Sequence, residues 1–272
     1  MRVFSWVPAE MLRGFWRNRA LILALTKREV VGRYQGSVMG LLWSFFNPLF
    51  MLVVYTFVFS VVFKARWNVG SESKTEFALM LFAGLMVFNL FADCILRAPS
   101  LIVANSNYVK KVVFPLEILP YVVMGSALFH FVVSLCVWLA AYLLLFGNIQ
   151  LAFFLLPLVI FPLILFALGL VWVLASVGVF LRDVSQFIGV VTSVLMFLSP
   201  IFYPITALPE EYRHFLFLNP LTPAIEAVRN LLFLGVIPEW LQLIKYYFLA
   251  FVFFWLGFVW FQKTRKGFAD VL

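Results

Sequence analysis

Six long apolar runs constrain this chain more than anything else in it: about Met39 to Phe63, Phe77 to Leu96, Ile118 to Phe146, Leu151 to Leu181, Phe187 to Phe202 and Trp240 to Gln262. Most of them approach the ~20 residues a helix needs to cross ~30 Å of hydrocarbon. A membrane β-barrel does not fit, because its strands show weak alternation over ~10 residues and these runs are continuous. With 65% hydrophobic and 12% charged residues, the chain carries more apolar surface than a soluble domain can bury, so lipid must solvate much of it. The expectation is an all-α integral membrane protein of six transmembrane helices. Residues 1–272 read as one domain: 1–38 an N-terminal region, 39–262 the bundle and 263–272 a tail.

Six crossings place both termini on one side. That side would hold Arg2, Arg13, Arg17, Arg19, Lys27, Arg28, Arg33, Arg97, Lys110, Lys111, Arg182, Lys263, Arg265 and Lys266, against Lys64, Arg66, Lys74, Arg213, Arg229 and Lys245 on the other. The excess of Lys and Arg makes the termini cytoplasmic. The net charge of +8 then follows from topology and attraction to anionic lipid, and nucleic acid is a poor partner. Between Thr26 and Pro48 the basic segment gives way to hydrocarbon near Gly36 to Gly40, which sets Arg33 and Tyr34 at headgroup level. The first residues are too polar for a cleavable signal peptide, so the first span is expected to stay as an anchor. Cys94 and Cys136 fall inside spans without metal or redox spacing and read as packing residues.

Along the chain, Pro8 to Leu25 places Glu10, Arg13 and Arg17 on one helical face, which suits an amphipathic helix on the cytoplasmic leaflet or one packed on a soluble partner. Gly32, Gly36 and Gly40 recur every fourth residue: either a smooth face for a neighbouring helix or simply tolerated glycines. In the first span Trp43, Phe46, Asn47, Phe50 and Phe57 share one side, suited to stacking on sugar rings or to packing between helices. Lys64 to Glu76 reads as an external loop. Asp93 and Arg97, four apart, are expected to pair at the inner boundary. Pro99 and Pro115 bracket a cytoplasmic helix whose Leu101, Ile102, Val109 and Val112, with Asn105, Asn107, Tyr108, Lys110 and Lys111, suit a groove on a soluble partner or a plain interfacial loop. His130 is expected to hydrogen-bond a neighbouring helix. In the fifth span Ser185, Gly189, Thr192, Met196 and Ser199 make a small, polar stripe. From Ser199 to Gly235, Pro200, Pro204, Pro209, Pro220 and Pro223 interrupt the chain too often for two crossings, so this part reads as re-entrant external helices, with Glu226 and Arg229 on a wetter face.

RYQGSVMGLLWSFFNPL, YTFVFSVVFKARW, FALMLFAGLMVFNLF, NSNYVKKVVFPLEILP and SPIFYP, in that order, resemble the membrane subunit of ABC-2 type polysaccharide exporters, the permeases of O-antigen, capsule or teichoic acid. The resemblance implies a homodimer working with two copies of a separate ATP-binding cassette subunit, and a lipid-linked glycan, O-antigen first, moved outward across a bacterial inner membrane. It makes Pro8 to Leu25 an interface helix and Asn105 to Lys111 a coupling helix. Tyr34 and the first and fifth spans become the walls of the substrate path, and Ser199 to Gly235, with Pro200, Pro204, Glu226 and Arg229, the external gate. ATP and Mg would be held by the partner, with no cofactor, metal or catalytic residue in this chain.

The residues agree on one independent point, since no GxxxxGK[ST] loop occurs in the 272 residues and energy must arrive through a partner. Six helices alone also enclose too little space for a polymer, which favours a dimer. A membrane-embedded glycan- or lipid-modifying enzyme would need convergent acids and bases, whereas Asp93, Glu117 and His130 are scattered. A proton-driven carrier would need intramembrane ionisable groups and repeated halves, and neither is evident.

Overall fold

The computed structural model describes residues 8–58, 74–110 and 114–272, and all regular structure among them is helical. Lys111, Val112 and most of the Lys64 to Glu76 loop lie outside the described residues. The segment expected as one amphipathic helix is two, α1 (Pro8–Arg17) and α2 (Arg19–Arg33). The break falls at Asn18, whose Nδ2 and backbone N–H both donate to the Gly14 carbonyl, at 2.8 and 3.2 Å. Met11 is buried while Leu12, Trp16 and Leu23 are exposed, the two-sidedness of a helix at a lipid boundary.

Gly36 and Gly40 do not form a helical packing face. Their φ values are +84° and +52°, and nothing approaches within 4 Å of an added Cβ at either. They turn the chain between α2 and α3 (Trp43–Tyr55), because a β-carbon makes that left-handed conformation costly. Close helix contacts occur elsewhere. α8 (Leu156–Phe180) crosses α12 (Trp240–Thr264) where an added Cβ at Gly257 would lie 2.2 Å from the Gly169 carbonyl oxygen, so the two backbones meet through paired glycines.

The core is built around α4 (Lys74–Arg97), which is packed by α3, α7 (Leu119–Phe146), α8, α9 (Val184–Leu198) and α11 (Leu221–Arg229). Two short helices, α5 (Leu101–Ala104) and α6 (Ser106–Lys110), follow it, and α10 (Glu210–Leu216) precedes α11. At one end of the bundle Glu117, before α7, accepts from Arg265 at 2.7 Å, and Ser176 and Thr264 hydroxyls lie 2.8 Å apart. α13 (Phe268–Val271) packs beside α6 and α8 at this basic end. At the opposite end Trp138 Nε1 donates to the Leu79 carbonyl at 3.0 Å, and Tyr246 to the Pro220 carbonyl at 2.8 Å.

Among the described residues five helical stretches are long and apolar enough to cross a membrane: Gly40–Val58, Thr75–Arg97, Leu116–Phe146, Leu151–Phe180 and Trp240–Val271. The expected fifth span is shorter than the sequence suggests. α9 stops at Leu198 instead of Phe202, because Pro200 has no N–H to give and disfavours helix at Ser199. Its exit, at Pro200 and Ile201, lies level with Met80 of α4, about 9 Å along the axis from the start of that helix at 1.5 Å per residue. The segment from Ser199 onward, through α10 and α11, begins at that level.

Candidate functional site

Apart from Tyr34, which follows α2, the residues expected to line a path fall on two helices, α3 and α9, that both pack on α4. On α3, Trp43, Asn47 and Phe50 are exposed and Phe46 is half-buried, with the Phe46 and Phe50 rings stacked at 6.0 Å. Exposure is not confined to that side of α3, since Phe45, Met51, Val53 and Val54 are exposed as well. The α9 stripe is divided. Ser185 is exposed, and Gly189 and Met196 are half-buried, with open space around Gly189. Thr192 and Ser199 face inward. The Thr192 hydroxyl donates to the Ile188 carbonyl at 2.8 Å; that of Ser199 donates to the Leu195 carbonyl at 2.6 Å and accepts from Asn219 Nδ2 at 2.8 Å. The outward face of α9 is instead Phe187, Val190, Val194 and Phe197. Their spacing is helical too, but in an all-apolar run it is one of several equally good faces.

In the expected coupling segment, Leu101 and Ile102 are buried in the protein's own core, which removes them from any docking surface. Asn105 sits at the break between α5 and α6, its Nδ2 on the Leu101 carbonyl at 2.9 Å. The Tyr108 ring stacks on Phe114 at 4.3 Å, and its hydroxyl accepts from Arg28 at 3.0 Å. Val103, Ala104, Asn107 and Lys110 remain exposed.

Arg229, expected on a wetter face, is 3% exposed. Its guanidinium donates to the carbonyls of Met80 at 2.9 Å and Ile201 at 2.5 Å, and to that of Pro200, and lies 3.6 Å from Glu226. A Cβ on Gly84 would come within 2.5 Å of its NH2, so α4 has no side chain where the guanidinium sits. An arginine is buried cheaply only when several acceptors replace its water, and here one side chain joins α4, the exit of α9 and α11. Pro200 is buried beside it and Pro204 is half-buried.

The Asp93–Arg97 pair exists at 3.9 Å, but each partner has a nearer one. Arg33 reaches Asp93 at 3.0 and 3.2 Å, and Arg97 pairs with Glu29. The Tyr34 hydroxyl lies 3.5 Å from His130 Nδ1, the neighbouring-element contact expected of that histidine. Asp93 and His130 thus both approach the Arg33–Tyr34 corner, whereas Glu117 is held apart by Arg265. A cavity of about 380 Å³ lies beside these pairs, lined by α2, α5 and the ends of α4 and α7. Spacing alone could not have shown this network, because it joins residues 60 and more positions apart.

Residues 20–233 match the family model described as ABC-2 type transporter. The chain is similar to the O-antigen export system permease protein RfbA of Myxococcus xanthus, 26% identical over 262 residues, which are 96% of this chain and 98% of that protein. It is also similar to RfbA of Klebsiella pneumoniae, 26% identical over 255 residues (93% and 95%), and to the polysialic acid transport protein KpsM of Escherichia coli, 24% identical over 237 residues (85% and 88%).

Proposed function

The chain belongs to the ABC-2 type transporter family, and on that premise we propose that it is the permease of an ATP-driven exporter moving lipid-linked O-antigen outward across a bacterial inner membrane. The observation that carries the reading is likeness to O-antigen export permeases over nearly the whole length of both chains. Capsule export is the second reading, favoured by the weaker likeness, 23% identical over 216 residues, to the capsule polysaccharide export inner-membrane protein CtrC of Neisseria meningitidis.

In this reading the bundle crosses six times, α9 being the fifth span in chain order beside the five longer stretches, and the segment after it through α11 is re-entrant on the outer side. Both termini are then cytoplasmic, because the end of the bundle that carries Arg28, Arg33, Arg97, Lys110 and Arg265 is the basic one. Two copies of the chain enclose the path, and two ATP-binding subunits, which hold ATP and Mg, dock on the exposed side of α5 and α6 through Asn107 and Lys110, with Lys111 beyond. Trp43, Phe46, Asn47 and Phe50 of α3, with Tyr34 at its foot, offer rings to the apolar faces of sugars. Ser185, Gly189 and Met196 leave width on α9, while Thr192 and Ser199 brace it from behind. Contacts of this kind must stay weak one by one, since a conduit that grips its polymer stalls. Pro200, Pro204, Glu226 and Arg229 set the shape of the outer gate.

The test is reconstitution with the ATP-binding subunit in proteoliposomes loaded with undecaprenyl-linked polysaccharide. Movement that depends on ATP and is indifferent to a proton gradient is expected, whereas movement that follows the gradient would overturn the reading. Identifying the glycolipid that co-purifies separates O-antigen from capsule.

A further inference from the structure

Four polar contacts follow one another along the last turns of α2. Arg28 donates to the Tyr108 hydroxyl at 3.0 Å, Glu29 pairs with Arg97, Arg33 holds Asp93 at 3.0 Å, and the Tyr34 hydroxyl meets His130 Nδ1 at 3.5 Å. Glu29 and Arg33 are one helical turn apart on α2, and Arg97 and Asp93 one turn apart on α4 in the reverse order, so the two helices run past each other as a ladder with charged rungs. The rungs lead from the coupling segment to the turn that opens α3. We propose that this ladder transmits motion: it makes α2 follow the corner formed by the end of α4 and by α5 and α6, so that displacement of Tyr108 reaches the foot of α3. The proposal rests on the reading of this chain as an ATP-driven permease.

Three observations set the ladder apart from ordinary surface pairing. First, the apolar contacts of α2 go to α7, where Ile22 and Leu25 pack on Ile118 and Val122 and Thr26 fits against Gly125. Toward α5 there is a cavity of about 380 Å³ instead of packing. α7 also joins the two by packing on α2, α4 and α5, but the direct ties between α2 and the coupling corner are the side chains that cross that gap.

Second, Glu29, Arg33, Asp93 and Arg97 are only 25–35% exposed, although the Arg28–Tyr108 rung is exposed. An exposed ion pair is worth little and yields easily, but separating a half-buried pair leaves each charge poorly solvated, and the cost rises as water is excluded. Such rungs resist being pulled apart. Third, the four rungs are spread over three elements: α6, two successive turns of α4, and α7. A contact made only to stabilise α2 would not need to be distributed in sequence from the coupling segment to the turn before α3. Glu29, Arg33, Asp93 and Arg97 are positioning residues in this scheme, acting through α2 on the helix that meets the polysaccharide.

The test uses the complete permease with its ATP-binding subunit in proteoliposomes, with ATP hydrolysis and polysaccharide export measured in the same preparation. Glu29→Arg and Arg97→Glu, singly, are expected to lower export roughly tenfold, within the span known for coupling perturbations, while hydrolysis persists. The exchanged pair, Glu29→Arg with Arg97→Glu, restores export. Should the singles fail to assemble, Glu29→Cys with Arg97→Cys, in a chain carrying Cys94→Ser and Cys136→Ser, is joined by a short bis-maleimide; export recovers on cross-linking if α2 and α4 move as one body. Singles that export normally, an exchanged pair no better than the singles, hydrolysis that falls in step with export, or a cross-link that abolishes export would each overturn the ladder. A wild-type complex that moves no polysaccharide defeats the permease reading and the ladder with it, whereas a wild type that exports beside uninformative exchanges defeats the ladder alone.

Discussion

The first and second spans have nearly the same mean hydropathy, 1.8 for Gly40–Val58 and 2.1 for Thr75–Arg97, yet of the 18-residue apolar stretch in each, 11% is buried within the protein in the first and 83% in the second. In water such similarity would place both in the core. In lipid it does not, because hydrocarbon solvates a leucine as well as a protein interior does, and burial has to be won by shape and by polar contact. α4 has both. Ala83, Gly84 and Ala92 let other helices approach, the Leu79 and Met80 carbonyls receive Trp138 and Arg229, and its end carries two of the ladder's charges. In α3 large side chains predominate, and of its two buried residues one is Ser44, the smallest it has. α4 therefore holds the described helices together, while α3 leaves its rings exposed.

The contrast can be broken most forcefully at Arg229. Arg229→Met leaves the carbonyls of Met80, Pro200 and Ile201 and the Glu226 carboxylate without their cation, and a loss of about 3–5 kcal/mol is expected from such a deletion. Thermal unfolding in detergent should show it as a sharply lowered midpoint or as aggregated material; a midpoint like that of the wild type would mean that α11 is not clamped to α4. Next comes Leu81→Ala, at a fully buried position of α4, where a cavity should cost about 2–4 kcal/mol in the same measurement. A loss below about 0.5 kcal/mol, the scale of surface substitutions, would reduce α4 to one helix among equals.

On the outward helices the expected pattern is the reverse. Trp43→Ala combined with Phe50→Ala should change stability by no more than about 0.5 kcal/mol while export in proteoliposomes falls severalfold. Gly189→Trp, placed where nothing lies within 4 Å, should assemble normally and block long polymers more than short ones. Destabilisation of either variant as large as that of Leu81→Ala would show that these faces pack within the protomer. The smallest effect is one of reactivity alone. A membrane-permeant maleimide should modify Phe50→Cys and spare Leu81→Cys, and a bifunctional reagent should join two copies through Phe50→Cys if the dimer brings the α3 helices together.

Hydropathy and charge count were enough to read a helical membrane bundle, the limits of four long spans to within a few residues, the basic end and the absence of an ATP loop. The ordered motifs were enough to read the family. These are properties that each segment expresses alone against the bilayer: a residue is tolerated in hydrocarbon or it is not, whichever neighbours it acquires.

What needed the tertiary structure was every question of which neighbour. The sequence marked glycines at 32, 36 and 40, but a small side chain serves a turn as well as a helix crossing, and only the positive φ at Gly36 and Gly40 decides between them, with the true crossing at Gly169 and Gly257. It marked a polar stripe on α9, but serine and threonine can satisfy themselves on their own helix, so Thr192 and Ser199 turn inward and a ring of Phe187 and Phe197 turns out. It marked Arg229 as wet, because nothing local shows that Met80, 149 positions earlier, supplies a carbonyl for it. Spacing found the Asp93–Arg97 pair within one helix and missed Arg33 and Glu29, since the preference of a charge for one partner over another is set by distance after folding, and segments 60 and 68 positions apart meet there only because α2 is laid across the end of α4.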